Sequence, residues 1–233
     1  MIKIASLLSL LFAVHISVTA QELHIKDENL KNALLEQFDI NKNGNLDPEE
    51  IYSVTTLNLY KKEIKDLDGI QQFKNLQKIN LTSNYISDFS VLNHLTNLEE
   101  VAIGGNKGSK ILALKNLNKL KELYAFNNGI QQLILDSEQI KTIYIQDNLI
   151  SELNTENFPE LHSLNLNNCI NITSLDLSKN PNLAQLFLIK TRIKVLNITQ
   201  NPNLKTLYLE PSVKLIQSKN QNFPRQLPPA AAE

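Results

Sequence analysis

One short run near the start of the chain concentrates side-chain oxygens at fixed spacing. Within residues 39–50, Asp39, Asn41, Asn43, Asp47 and Glu50 stand at positions 1, 3, 5, 9 and 12, and Asn45 at position 7 offers its backbone carbonyl. A set made only of oxygen donors suits a hard cation, and this spacing is the one that wraps calcium. Gly44 at position 6 permits the sharp turn such a loop needs, and Glu50 has the reach to bind through both carboxylate oxygens. Two neutral Asn donors lower the negative charge facing the metal, so the expected affinity is weak, roughly 10⁻⁴–10⁻³ M. The expected cofactor is therefore calcium in a structural role. The alternative is a calcium-free turn with the same residues that caps whatever follows.

Little else in the chain has the makings of chemistry. Cys169 is the only cysteine, and His24, His94 and His162 are scattered. No nucleophile–base–orienter set, glycine-rich phosphate loop or zinc spacing occurs, which argues against an enzyme. The formal net charge is −1 with no basic block, which makes nucleic acid a poor partner.

The elements around the loop agree with its reading. Leu30, Ala33, Leu34 and Phe38 form one helical face, Asp27 is placed to cap that helix, and Pro48 opens a short exit helix reaching about Ser53. Helix, loop and helix together resemble an EF-hand, although a single one.

From Val54 the chain repeats. The pattern L-x-x-L-x-L-x-x-N/C starts at Val54, Leu76, Leu98, Leu120, Ile140, Leu161, Leu183 and Leu204, with steps of 20–22 residues. That period and pattern are the signature of a leucine-rich repeat solenoid. The L-x-L pair alternates in and out as a strand with one buried face does, and parallel stacking buries a core no single repeat could bury. Eight positions after each start comes a side chain expected to point inward and satisfy the backbone of the turn. It reads Lys62, Asn84, Asn106, Asn128, Asn148, Cys169, Thr191 and Ser212, with Lys62 breaking the rule in the first repeat and Ser212 bending it in the last, as terminal repeats do. On this register Cys169 is a buried structural thiol.

The same register identifies what is left outside. Tyr124, Tyr144, Phe187 and Tyr208 fall four residues after the repeat start, and Tyr60, Phe126 and Ile189 fall six after it. These side chains project from the concave sheet and form two expected clusters, one on the fourth and fifth strands and one on the seventh and eighth. Exposed aromatics of this kind are enriched where proteins bind one another.

The ends read differently. Met1–Lys3 followed by an apolar stretch to Val18 and small residues at Val18 and Ala20 is a signal peptide pattern with cleavage after Ala20. The expected organisation is a leader over 1–20, a helical cap over 21–53, about eight repeats over 54–217 and a flexible tail over 218–233. No membrane span is expected after cleavage, and the product is exported to the periplasm, the cell surface or the medium.

A helical cap with an EF-hand-like loop, followed by 22-residue repeats, resembles the internalin-like secreted leucine-rich repeat proteins of bacteria. Leu67-Asp-Gly-Ile70-x-x-Phe73-x-Asn-Leu76 and Leu95-Thr-Asn-Leu98 carry the resemblance, and the Asn-Pro-Asn-Leu runs ending at Leu183 and Leu204 match a plainer bacterial repeat. The resemblance implies an exported, non-catalytic module that binds a protein, or less readily a glycan. Two alternatives use the same surface: a self-associating structural protein of the envelope, and an inhibitor of a partner enzyme.

Overall fold

The computed structural model describes residues 23–106, 108, 110–221 and 223, so the expected leader lies outside the described residues. Helix α1 (Glu28–Phe38) is capped by Asp27, whose Oδ1 accepts from Leu30 N at 2.9 Å. The other oxygen of Asp27 accepts from Lys65 N and Asp66 N, so one side chain caps the helix and ties it to the first coil. Leu30, Ala33 and Leu34 are buried on the inner face of α1, and Phe38 meets Phe73 edge-on with ring centroids 6.0 Å apart. The short helix α2 (Pro48–Tyr52) follows, with Pro48 in its first turn and Ile51 buried.

Twelve short strands follow: β1 (Thr56–Asn58), β2 (Lys78–Asn80), β3 (Glu100–Ala102), β4 (Ile111–Leu114), β5 (Glu122–Tyr124), β6 (Gln132–Leu135), β7 (Thr142–Tyr144), β8 (Ser163–Asn165), β9 (Gln185–Phe187), β10 (Val195–Asn197), β11 (Thr206–Tyr208) and β12 (Lys214–Ile216). Eight of them form one parallel sheet in the order β1-β2-β3-β5-β7-β8-β9-β11. Its register runs through the expected leucine column: Leu57 pairs with Ile79, then Val101, Leu123, Ile143, Leu164, Leu186 and Leu207 in turn. All of these are buried, as are Leu81, Leu166 and Leu188 two residues beyond. The repeat was expected to supply one strand each. The opposite layer adds four more, as the parallel pairs β4–β6 and β10–β12, while earlier coils use 3-10 turns there, at Ile70–Gln72 and Ser90–His94.

The turn leaving seven of the eight main-sheet strands repeats a strained conformation. Lys61, Ser83, Gly105, Asn127, Asp147, Asn168 and Lys190, each seven residues into its coil, all have positive φ between 51° and 68°. Only Gly and, less well, Asn or Asp adopt this conformation without penalty. The ladder residue that comes next anchors it. Asn148 donates to the carbonyls of Ala125 and Ile145 at 2.8 and 2.9 Å, and its oxygen accepts from Asn128 N and Ile130 N, both at 3.0 Å. Asn84, Asn106 and Asn128 likewise bond to their own coil and to the one before. Cys169 keeps the register with a thiol that donates to Ile145 O at 3.3 Å.

A second inward ladder lies on the other side of the coil. Asn180 donates to Thr155 O and Phe158 O, Asn201 to Leu177 O and Asn180 O, and Gln221 to Ile198 O and Asn201 O, all within 2.8–2.9 Å. Gln221 corrects the expected start of a flexible tail at Ser218: residues 218–221 form a turn that extends this ladder, and Phe223 packs against the core. No helix among the described residues is long and apolar enough to cross a membrane.

Candidate functional site

Side chains two residues apart on each strand of the main sheet share a face, so those flanking the buried leucines stand together on the outer side. There Tyr124 of β5 and Tyr144 of β7 meet edge-on with centroids 5.6 Å apart, and Phe187 of β9 stacks on Tyr208 of β11 at 5.2 Å with planes 13° apart. The two clusters expected from the sequence are joined. Tyr144 reaches Phe187, 6.4 Å between centroids, although β8 lies between their strands. The residue of β8 in the same column is Asn165, small enough for the rings to meet above it. The result is one half-buried aromatic row across five strands.

Polar contacts fix its members. Tyr124 donates its hydroxyl to a carboxylate oxygen of Glu122 at 2.6 Å. Burial and then the Glu122 carboxylate push the phenol well above its ordinary pKa, so it stays a donor. Tyr144 OH accepts from Ser163 Oγ at 3.1 Å. Phe126 lies flat against Gly104: a Cβ at Gly104 would fall 2.4 Å from the ring. Ile189 is half-buried further along the same neighbouring column, which ends at Glu210. Tyr60 is not brought to the row; it stands on the first coil, 45% exposed, with Lys61 Nζ 5.1 Å from its ring centroid.

The charged residues on this face divide by position. On the early coils they pair with one another, Lys78 with Glu100 at 2.9 Å and Lys121 with Glu99 at 2.7 Å. Lys141, Glu160, His162 and Lys205 border an open recess of about 440 Å³ on the turns that enter β7, β8, β9 and β11, with Ala184 and two asparagines completing it. None of these four takes part in an ion pair among the described residues.

Residues 52–94 match the family described as leucine-rich repeats in two copies. The fold is a leucine-rich repeat solenoid. No curated protein matches the sequence. Among solved structures, the solenoid is similar to a chain of the Toll–Spätzle complex of Drosophila, at 25% identity and a TM-score of 0.60 over 72% of this chain. It spans only 25% of that protein's length. It is also similar in fold to internalin C2 of Listeria monocytogenes, at 20% identity and a TM-score of 0.50, covering 82% of this chain and 92% of that one.

The cap loop is closed by its own hydrogen bonds. Glu50 accepts from Ile40 N, Asn41 N and Asp47 N, Asp39 from Asn43 N and Gly44 N, and Asp47 Oδ2 from the amides of Asn41 and Asn43. The side chains of Asp39, Asn41, Asn43, Asp47 and Glu50 thus bond within one loop, while Leu46 is buried beneath it. Their donors are all oxygens, which fits a hard cation. No group of three or more His, Cys, Asp or Glu close enough to hold a metal occurs among the described residues. Calcium would therefore rely on Asn41, Asn43 and the Asn45 carbonyl as well as the carboxylates. Cys169 is no nucleophile candidate: burial first of all pushes its thiol up to about 11, so it stays protonated at neutral pH.

Proposed function

We propose that the chain is an exported, internalin-like recognition module that grips a protein partner with the outer, concave face of its main sheet and is not itself an enzyme. The observation that carries this is the aromatic row Tyr124–Tyr144–Phe187–Tyr208, which the fold leaves half-open to solvent when it buries nearly every leucine-type position. Large rigid rings offer contact area at low entropic cost, which is why they dominate binding hot spots. The likeness in fold to a chain of the Toll–Spätzle complex supports the same reading, since that chain was solved bound in a complex.

The test is capture of partners by residues 21–233, comparing wild type with Tyr144→Ala and Phe187→Ala. Capture that survives both substitutions refutes the concave-face reading. Concentration-dependent oligomers in light scattering would move it to self-association.

The cap loop is assigned a structural calcium ion held by Asp39, Asn41, Asn43, Asn45, Asp47 and Glu50. At ten times the dissociation constant, binding adds about 1.4 kcal/mol to stability. Thermal unfolding with calcium and with chelator should differ for wild type and coincide for Glu50→Gln. Coincidence in wild type removes the site.

A further inference from the structure

We infer that the partner segment seated on the late half of the concave face is an extended acidic stretch of protein in which acidic and apolar side chains alternate. The inference rests on the concave-face reading and names what that face takes.

Charge comes first. Lys78, Glu99, Glu100 and Lys121 neutralise one another on the early coils, and Glu122 is engaged by Tyr124. Lys141, His162 and Lys205 are left without counter-ions on the coils that carry the row, all exposed, with Glu160 as the one opposing charge in their recess. Ala184 stands between His162 and Lys205 in the same column, so the floor of the recess is low where a carboxylate would enter. Such a group meets two lysines and the N–H of an imidazole across one opening.

Shape comes second. Four inter-strand steps from β5 to β11 span about 19 Å, the reach of about six residues of extended chain. The basic column lies on one flank of the row. Phe126, Gln146, Asn167, Ile189 and Glu210 lie on the other, with its apolar side chains at Phe126 and Ile189. Side chains of an extended segment alternate between its two sides. Laid along the row, the segment turns every second side chain toward the lysines and the others toward Phe126 and Ile189.

The probe is a capped, fluorescent hexapeptide of alternating tyrosine and glutamate, titrated into residues 21–233 at low and at high salt. Two control peptides replace glutamate by lysine and tyrosine by serine. The expected result is saturable binding to wild type, at least tenfold weaker for either control and weaker at high salt. Lys141→Ala/Lys205→Ala should weaken it about tenfold with the unfolding curve unchanged. No binding of the alternating peptide at millimolar concentration, equal binding of the lysine control, or wild-type affinity in the double lysine variant overturns the inference. Binding of an oligosaccharide of uronic acids in place of the peptide also overturns it. The two readings fail separately: a captured partner that needs Tyr144 but not Lys141 and Lys205 ends the acidic-segment inference alone, whereas one that needs neither ends the concave-face reading as well.

Discussion

Tyr144 and Phe187 meet edge-on at 6.4 Å across a strand that neither belongs to. Asn165, between them, leaves the height above it open, and the contact turns two aromatic pairs into one row. Edge-to-face pairs contribute about 0.5–1.5 kcal/mol each beyond the area they bury. Replacing Tyr144 by alanine removes two of them. Tyr144→Ala should lower stability by about 1–3 kcal/mol in urea unfolding, with the far-ultraviolet circular dichroism of the solenoid kept.

Gly104 and Phe126 form a second contact that can be tested without any partner. A methyl group at Gly104 would stand 2.4 Å from the ring, closer than any real contact, so the ring must swing away. Gly104→Ala should cost about 1–3 kcal/mol by overpacking. In a background of Phe126→Ala, which empties the space, the same substitution should cost much less. A double-mutant cycle with no coupling would show that the ring does not rest there in solution.

Asn128 binds the third and fourth coils to each other. Its amide donates to Ile103 O and Ala125 O, and its oxygen accepts from Asn106 N at 2.6 Å. Alanine leaves the buried Asn106 amide unpaired, at about 1–3 kcal/mol, while Ile103 O and Ala125 O keep the side-chain amides of Asn106 and Asn148. Asn128→Ala should therefore lose about 1–3 kcal/mol, measured as a lowered denaturation midpoint with an unchanged slope. A loss under about 1 kcal/mol would mean that water replaces the ladder.

Acid should loosen the N-terminal segment before the solenoid. Lys26 donates to Asp66 at 2.5 Å, and this bond holds the Asp66 carboxyl below its ordinary value of 3.8 and Lys26 above 10.5. The lowered carboxyl contributes stability that is present above 3.8 and disappears as pH falls through its folded value. The raised amine contributes stability that is complete below 10.5 and disappears as pH rises through its folded value. Hydrogen exchange of Ile25–Asp27 should accelerate at both extremes, while Asp66→Asn should flatten the acid limb. The pair is exposed, so the effect is local and small.

The sequence predicts the coil period, the leucine column, the first asparagine ladder and the helical cap, because each is a one-dimensional pattern whose side chains have a single place to go. The second ladder was missed. Its column, three residues before each repeat start, reads Ile51, Phe73, Leu95 and Leu117 and then Ser137, Phe158, Asn180 and Asn201. The switch from apolar to amide is visible in the repeated Asn-Pro-Asn-Leu, but on sequence that run carries only the resemblance to a plainer bacterial repeat and does not say that its first Asn turns inward. The union of the aromatic clusters was not legible, since it depends on how rings lean across a smaller neighbour, which tertiary packing decides. The unpaired lysines had to wait for the structure because sequence does not show which charges find partners.

Cys169 also has a mechanical meaning. In a solenoid each coil touches only its neighbours, so resistance to unravelling is set by the poorest junction. Where Asn148 fastens its surroundings with four bonds, Cys169 offers a single thiol donor to Ile145. The fifth and sixth turns are consequently joined along a thinned seam, and the ring of Tyr144 reaches over that seam to Phe187 like a rivet. Any ligand that clamps those rings also splices the spring at the place where it would first part.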